Sequence, residues 1–459
     1  MKPGRRYNYA GLLVLLLALS VTTLCAAAPQ VSSLTVTDTD GNPLPARVTL
    51  TRVGTPTPDI YVFFTDRGGL CRVDSCPAGE ATVEVTHGPE WSIETSTVEV
   101  VPGSAGKLSV KLQRLFDLNA QGYFAGDGHL HSTASDGKQT PAEVAYHCRC
   151  EGLNWAFLTD HRAVRGHAEF LAQAAPGFLP LGGQEVTTKL GHILGLGTTA
   201  VISDKTDEGS ADVARIMGEI HQQGGMAVIA HPMTPTMSYT QWDVMDFDAI
   251  EILNGSLPPY RGLFDFVQAR TRWHQLLNEG KRVPAVGDSD NHDNTNGMVR
   301  ATLKDPETAL KKEPRLNLLW NLPNRDELLV PWALKGLYPG TYRTCAKLSN
   351  LAQPEIMGAL KAGRSFVTNG PLLLVTVEGT DPGSLVEGTE ATVKYQAVCN
   401  RGLERLDLVV DGKVAKSCSL TGLTASGELT VSLQGAHWLT VECYGKWPEF
   451  ATTNAWYVK

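Results

Sequence analysis

Six histidines and three carboxylates in this chain recur at spacings that can build a metal site. His129 and His131 stand two apart at the end of a run that starts at Tyr123. A strand's period of two puts both imidazoles on one face. Asp136 follows in Ser135-Asp136-Gly137, and His161 comes just after the run Trp155 to Leu158. Glu185 closes Gly183-Gln184-Glu185, and His192 opens the next run. His231 ends the run Met226 to Ala230, while Asp290 and His292 again lie two apart. A lone histidine is usually a surface or satisfied core residue, so the weight rests on the combination. Imidazole with carboxylate suits zinc, manganese or iron rather than calcium. Nine donors exceed the needs of one ion. They suit two or three divalent transition metals that share a bridging carboxylate and a hydroxide.

The chemistry of such a set is hydrolytic. Bridging divalent ions lower the pKa of water from about 15.7 towards neutrality, which supplies hydroxide without a general-base side chain. Three divalent ions against Asp136, Glu185, Asp290 and one hydroxide leave net positive charge, which favours an anionic phosphoester. Arg300, Arg162 and Arg165 are candidate phosphate ligands, with a solvated face as the alternative for each. Asp127 and Asp160 could orient ligand imidazoles from behind, or cap local structure instead. Asp160 and Arg300 are the candidate catalytic residues beside the metal donors.

Residues 121–369 must position these side chains. Strand-like runs there end in ionisable residues and alternate with helical stretches. Thr140-Pro141-Ala142-Glu143 reads as a capping box with proline at the first helical position. Val213, Ile216, Met217 and Ile220 share one helical face within Asp207 to Gly224. Repeated β-then-α predicts a parallel sheet or barrel with its site at the strands' C-terminal ends. Residues 31–114 instead alternate apolar and polar, as in Ala46, Val48 and Leu50, which predicts a small all-β sandwich. Residues 370–459 return to alternation, with Asp411-Gly412 as a hairpin turn and a packing or carbohydrate-facing module as the plain expectation.

The 459 residues allow about three domains, and 42% apolar with 19% charged residues excludes a disordered chain. The formal charge of −8 argues against broad nucleic-acid coating, so the expected partner is a small, anionic substrate. Lys2, Arg5 and Arg6 precede the apolar run Leu12 to Leu19, and Cys25-Ala26-Ala27 offers small residues for cleavage. This is the layout of an export leader over 1–28, implying a periplasmic or extracellular protein with no membrane span after its removal. Export permits disulfides, and eight cysteines follow Cys25. At least two bridges are expected, with Cys71 and Cys76 the first choice and a pair within Cys399, Cys418 and Cys443 the second.

Asp127-Gly128-His129-Leu130-His131, Ser135-Asp136-Gly137, Leu158-Thr159-Asp160-His161, Gly183-x-Glu185, Gly191-His192, Ala230-His231-Pro232 and Ser289-Asp290-x-His292 closely resemble the PHP (polymerase and histidinol phosphatase) superfamily. Ala362 to Pro371, Asn254-Gly255 and Thr453-Asn454 resemble its CehA/McbA carbamate-hydrolase branch. The pattern from Val36 to Val48 resembles the carboxypeptidase-regulatory-like, transthyretin-type sandwich. The resemblance implies an α/β fold with a distorted (β/α)7 barrel over 117–369, and the alternating segments set all-β sandwiches at 29–116 and 370–459 on either side of it. It also implies a ligand sorting. His129, His131, Glu185 and Asp290 would hold one ion; Glu185, His192 and His231 a second; Asp136, His161 and His292 a third. Gly128 stands where the family usually has an apolar residue. The leading functional reading is a secreted metal-dependent phosphoesterase. The alternatives are a carbamate, ester or amide hydrolase using the same hydroxide, and a noncatalytic metal-stabilised binding protein.

Overall fold

The fold was taken from a computed structural model that describes residues 28–54, 59–204, 209–235, 237–255, 259–295, 335 and 338–459. All of the expected leader except Ala28 therefore lies outside the described residues, and so does Arg300.

The chain is mixed α/β, with many strands and few helices. A five-stranded sheet (order 30–31, 94–100, 79–86, 47–52, 60–64) packs on a three-stranded one (70–72, 33–38, 107–112). Alternate residues face the shared core, with Leu34 and Val36 from one sheet meeting Val48, Leu50, Val83 and Val85 from the other. The expected disulfides are not there: all eight described cysteines are free thiols. Cys71 and Cys76 are buried in the sandwich core, where they act as small apolar side chains. Burial pushes the Cys71 thiol up to about 12. Cys418 and Cys443 flank Leu406 from opposite neighbouring strands. Two strand spacings, about 9.5 Å, exceed what a disulfide spans.

The strands of the central sheet are β1 (Tyr123–Leu130), β2 (Trp155–Leu158), β3 (Leu179–Thr188), β4 (Gly191–Leu196), β5 (Met226–Ala230), β6 (Ala249–Asn254), β7 (Ala285–Asp288), β8 (Arg343–Lys347) and β9 (Ser365–Thr368). Their helices are α1 (Pro141–Cys150), α2 (His167–Leu171), α3 (Ser210–Gln222), α4 (Pro259–Asn278) and α5 (Gln353–Lys361). The capping box forms as expected: Glu143 N donates to Thr140 Oγ1 and Thr140 N donates to Glu143 Oε2. Val213, Ile216, Met217 and Ile220 are the buried face of α3.

Parallel pairing holds for β1–β2–β3 and for β5–β6–β7. It fails at β4, which runs antiparallel to both β3 and β5. Only Lys189 and Leu190 link β3 to β4, far too few residues for the crossover that a parallel pair needs. β8 and β9 are antiparallel additions beside β1. The far edge curls back, so that β7 lies against β1, β8 and β9. Side chains fasten that seam: Gly128 N donates to Asp288 Oδ1 at 2.5 Å, and Gly287 N to Thr344 Oγ1 at 2.8 Å.

The sheet does not stop at residue 369. Beyond β9 it continues through strands 450–453, 438–445, 403–410 and 413–419. Asp411 and Gly412 both have positive φ and form the expected tight turn of the last hairpin. A second sheet (372–377, 390–398, 424–432) covers these strands, and one apolar cluster runs from Leu130 to Trp456. Buried Asn454 accepts from Ala285 N at 2.6 Å and donates to Ala285 O at 3.0 Å, stitching the carboxy-terminal strands to β7. No helix among the described residues is long and apolar enough to cross a membrane.

Candidate metal centre

β1 delivers His129 and, one residue past its end, His131, while Leu130 between them turns into the core. The two Nε2 atoms each lie 3.2 Å from Glu185 Oε2. They lie 3.3 and 3.2 Å from Asp290 Oδ1. These four side chains, all buried, converge on one point. Glu185 sits in β3 and turns its second oxygen the other way. His192 Nδ1 is 2.6 Å and His231 Nε2 is 3.1 Å from Glu185 Oε1. His161 Nδ1 is 3.0 Å from Glu185 Oε2.

A third group faces solvent. Asp136 is 57% exposed at its side chain, with His161 Nε2 at 3.6 Å from its Oδ2 and His292 Nε2 at 3.4 Å from its Oδ1. His131 joins this group, its Nδ1 3.9 Å from Asp136 Oδ1. The grouping therefore differs in detail from the sorting implied by resemblance. His131 and His161 each belong to two clusters, and His231 approaches Glu185 without joining one of the convergent groups.

Several donors are orphaned in buried positions. His129 Nε2, His131 Nδ1 and Nε2, Glu185 Oε2, His231 Nδ1 and Asp290 Oδ1 are buried without hydrogen-bond partners. Each would cost stability if nothing met its lone pair. A divalent cation where His129 Nε2, His131 Nε2, Glu185 Oε2 and Asp290 Oδ1 converge would answer those four together, so the residues fit the metal group that their types imply. Burial opposes ionisation of Asp290 and Glu185, yet the facing imidazoles hold both carboxyls well below their ordinary range. Burial lowers His161 to about 4, despite Glu185 pulling the other way, which keeps that ring neutral and able to ligate. Backbone geometry is also spent here. Arg162, His231 and Asp290 have positive φ, three of the five such non-glycine residues among those described.

The carboxylates behind the donors bind local backbone and serines, the second of the two arrangements expected for them. Asp127 accepts from His129 N and Ser289 N at 3.1 Å each and from Gly340 N at 2.7 Å. It ties three backbone segments together and touches no ring nitrogen. Asp160, the expected catalytic carboxylate, is buried and fully engaged. It accepts from Ser132 N at 2.7 Å, Ser132 Oγ at 2.7 Å and Ser135 Oγ at 2.6 Å. Its role is to hold the loop from His131 to Asp136, the capping alternative. Arg162 donates to Thr187 O and Asp204 Oδ2 at 2.7 and 2.6 Å, and Arg165 is exposed. Gly128 is explained by close approach, because a Cβ there would meet Asp288 Oδ1 at 3.0 Å. Gly191, at φ 117°, would bring a Cβ within 2.5 Å of Tyr239 Cα.

The residue that sequence reasoning missed is Glu251. It is wholly buried in β6, with Oε1 2.9 Å from His129 Nδ1. Its Oε2 accepts from His231 N at 2.6 Å and Asn254 Nδ2 at 2.9 Å. A carboxylate inside the apolar run Ala249 to Leu253 was the available signal.

No family model matches the chain. A curated relative is the 3',5'-nucleoside bisphosphate phosphatase of Chromobacterium violaceum, 37% identical over 112 residues. The match spans 22% of this chain and 39% of that protein, well under half the relative's length. Among solved structures, a two-domain protein from Bacteroides vulgatus containing a predicted PHP-like metal-dependent phosphoesterase aligns over 70% of this chain and 90% of its own, at 16% identity and a TM-score of 0.39. An amidohydrolase from Chromobacterium violaceum with bound sulfate aligns over 37% of this chain and 87% of its own, at 24% identity and a TM-score of 0.28. Over part of its length, then, the chain is similar to a phosphatase, and its donor clusters suit divalent metal ions.

Proposed function

We propose that the protein is a metal-dependent phosphoesterase of the PHP type, holding two or three divalent transition ions (zinc, manganese or iron) in a distorted barrel made by β1 to β7. The observation that carries this reading is Glu185, whose two oxygens face two different sets of imidazoles while its Oε2 stays orphaned. Bound ions would supply activated water and charge stabilisation for a phosphoryl group. The chain's own residues supply placement. His129, His131 and Asp290 form the buried floor. Asp136, His161 and His292 form the rim that meets solvent and receives the substrate. Glu251 fixes the ring of His129, and Asp160 fixes the loop that carries Asp136.

A small anionic phosphoester is the proposed substrate class. The carbamate-type alternative rested partly on Thr368-Asn369 and Asn454. These are buried sheet fasteners here: Asn369 accepts from Phe450 N and donates to Pro448 O. Export is proposed from the leader alone, since the free thiols lend it no support.

A panel of chromogenic phosphate esters beside aryl carbamates and carboxylic esters tests the substrate class. The proposal requires the phosphate esters to be turned over fastest, and to be lost on chelation. Faster turnover of a carbamate would replace it with the alternative. Arg300 keeps its proposed role as a phosphate ligand. Arg300→Ala is expected to leave metal content unchanged and to lower kcat/KM for the best phosphate ester. Loss of a charged hydrogen bond costs about 1.5–3 kcal/mol, roughly ten- to a hundredfold. An unchanged kcat/KM would remove Arg300 from the site.

A further inference from the structure

A cavity of about 620 Å³ opens where the amino-terminal sandwich, the central sheet and the carboxy-terminal strands meet, and none of the nine metal-site donors lines it. Cavities of this size, at junctions between domains, commonly hold small ligands. Its floor is the outer face of the five-stranded sheet. Strands 47–52 and 79–86 send Val48, Leu50, Val83 and Val85 into the core, so Thr49, Thr51, Thr82, Glu84 and Thr86 point the other way. The register sets Thr49 opposite Glu84, Thr51 opposite Thr82 and Arg47 opposite Thr86, which makes a polar surface of four hydroxyls interrupted by one cation and one carboxylate.

The walls are charged. Five cationic side chains and three carboxylates line the cavity. Arg47 pairs with Glu151, Arg401 with Glu84, and Lys335 with Glu449. Two cations are left over. Arg343 donates to the carbonyls of Gly340 and Glu151, and exposed Lys446 has no carboxylate partner among the described residues. Glu449 is only 3% exposed, and its Oε2 has no hydrogen-bond partner. Such an atom calls for a donor. Trp447, 42% exposed, stands at the rim.

We propose that this cavity binds a hydroxyl-rich monoanion of the uronic acid class. Hydroxyl groups both donate and accept, which matches the orphaned Glu449 oxygen and the threonine floor together. A carboxylate offers two acceptor oxygens to the unpaired cations and lowers the surplus at Arg343 and Lys446 from two charges to one. The ring of Trp447 offers an apolar face to the ring of the sugar. A greasy ligand would leave the Glu449 oxygen and the unpaired Arg343 and Lys446 unanswered. A neutral sugar would leave the cationic surplus unmet.

The test is calorimetric titration of the metal-replete full chain with sodium glucuronate, glucose and sodium acetate. Glucuronate is expected to bind at least about tenfold more tightly than either control, because only it supplies both hydroxyls and charge. Lys446→Ala and Trp447→Ala, both at exposed positions, are each expected to weaken glucuronate about tenfold, while Glu185→Ala leaves its affinity unchanged. Glucuronate binding no tighter than glucose or acetate would overturn the proposal. So would affinity indifferent to both rim variants, or lost in Glu185→Ala, which would assign the binding to the metal centre.

Discussion

Glu185→Ala is expected to abolish turnover and metal loading together. Five imidazoles lie within 3.2 Å of the Glu185 carboxylate, divided between its two oxygens. Alanine removes the link between them and leaves His129, His131, His192 and His231 crowded with less compensating charge. The loss of hydrolysis should reach about a thousandfold or more, near 4 kcal/mol of transition-state stabilisation. The check is paired: kcat/KM on the best substrate, and elemental analysis of the same sample. A variant that keeps its full metal content would show that Glu185 only neutralises nearby histidines.

The second large effect belongs to Glu251. Its carboxylate holds His129 Nδ1, which leaves Nε2 to face Glu185 and Asp290, and it also fixes the backbone at His231. Partners of this kind orient a ligand and raise its basicity, and their loss weakens metal binding about ten- to a hundredfold. Glu251→Gln keeps the shape and one acceptor while removing the charge. It should lower metal affinity by that factor in competition with a chromogenic chelator, with the circular dichroism spectrum unchanged. Undiminished affinity would reduce Glu251 to a packing residue.

The donors were legible because strand ends in β/α folds gather functional side chains. The two-apart spacing of His129 and His131 reports the end of β1, whereas Asp290 and His292 lie past the end of β7, with Asp290 at positive φ, and join different donor groups. The capping box at Thr140, the buried face of α3 and the turn at Asp411 were legible for the same reason, since each depends on neighbours in the chain. What depended on distant pairing was not. Glu251 meets His129 across 122 residues, which no local pattern records. Asp160 serves serines on a loop that follows β1, a contact made across the pairing of β1 with β2. The run of sheet past residue 369 rests on the pairing of β9 with strand 450–453. The antiparallel β4 was recoverable in principle, because the two-residue link after β3 excludes a crossover. The disulfide expectation erred by inferring pairing from compartment, when each thiol's place is set by the core around it.

The central claim is a multinuclear hydrolytic centre, and metal stoichiometry measured beside activity tests it most directly. Protein expressed with ample zinc, manganese and iron should carry two or three transition ions per chain. Chelation should remove those ions and phosphoesterase activity together, and adding back a divalent ion should restore both. One ion or none per chain in active protein, or phosphoesterase activity that survives complete chelation, would contradict the account.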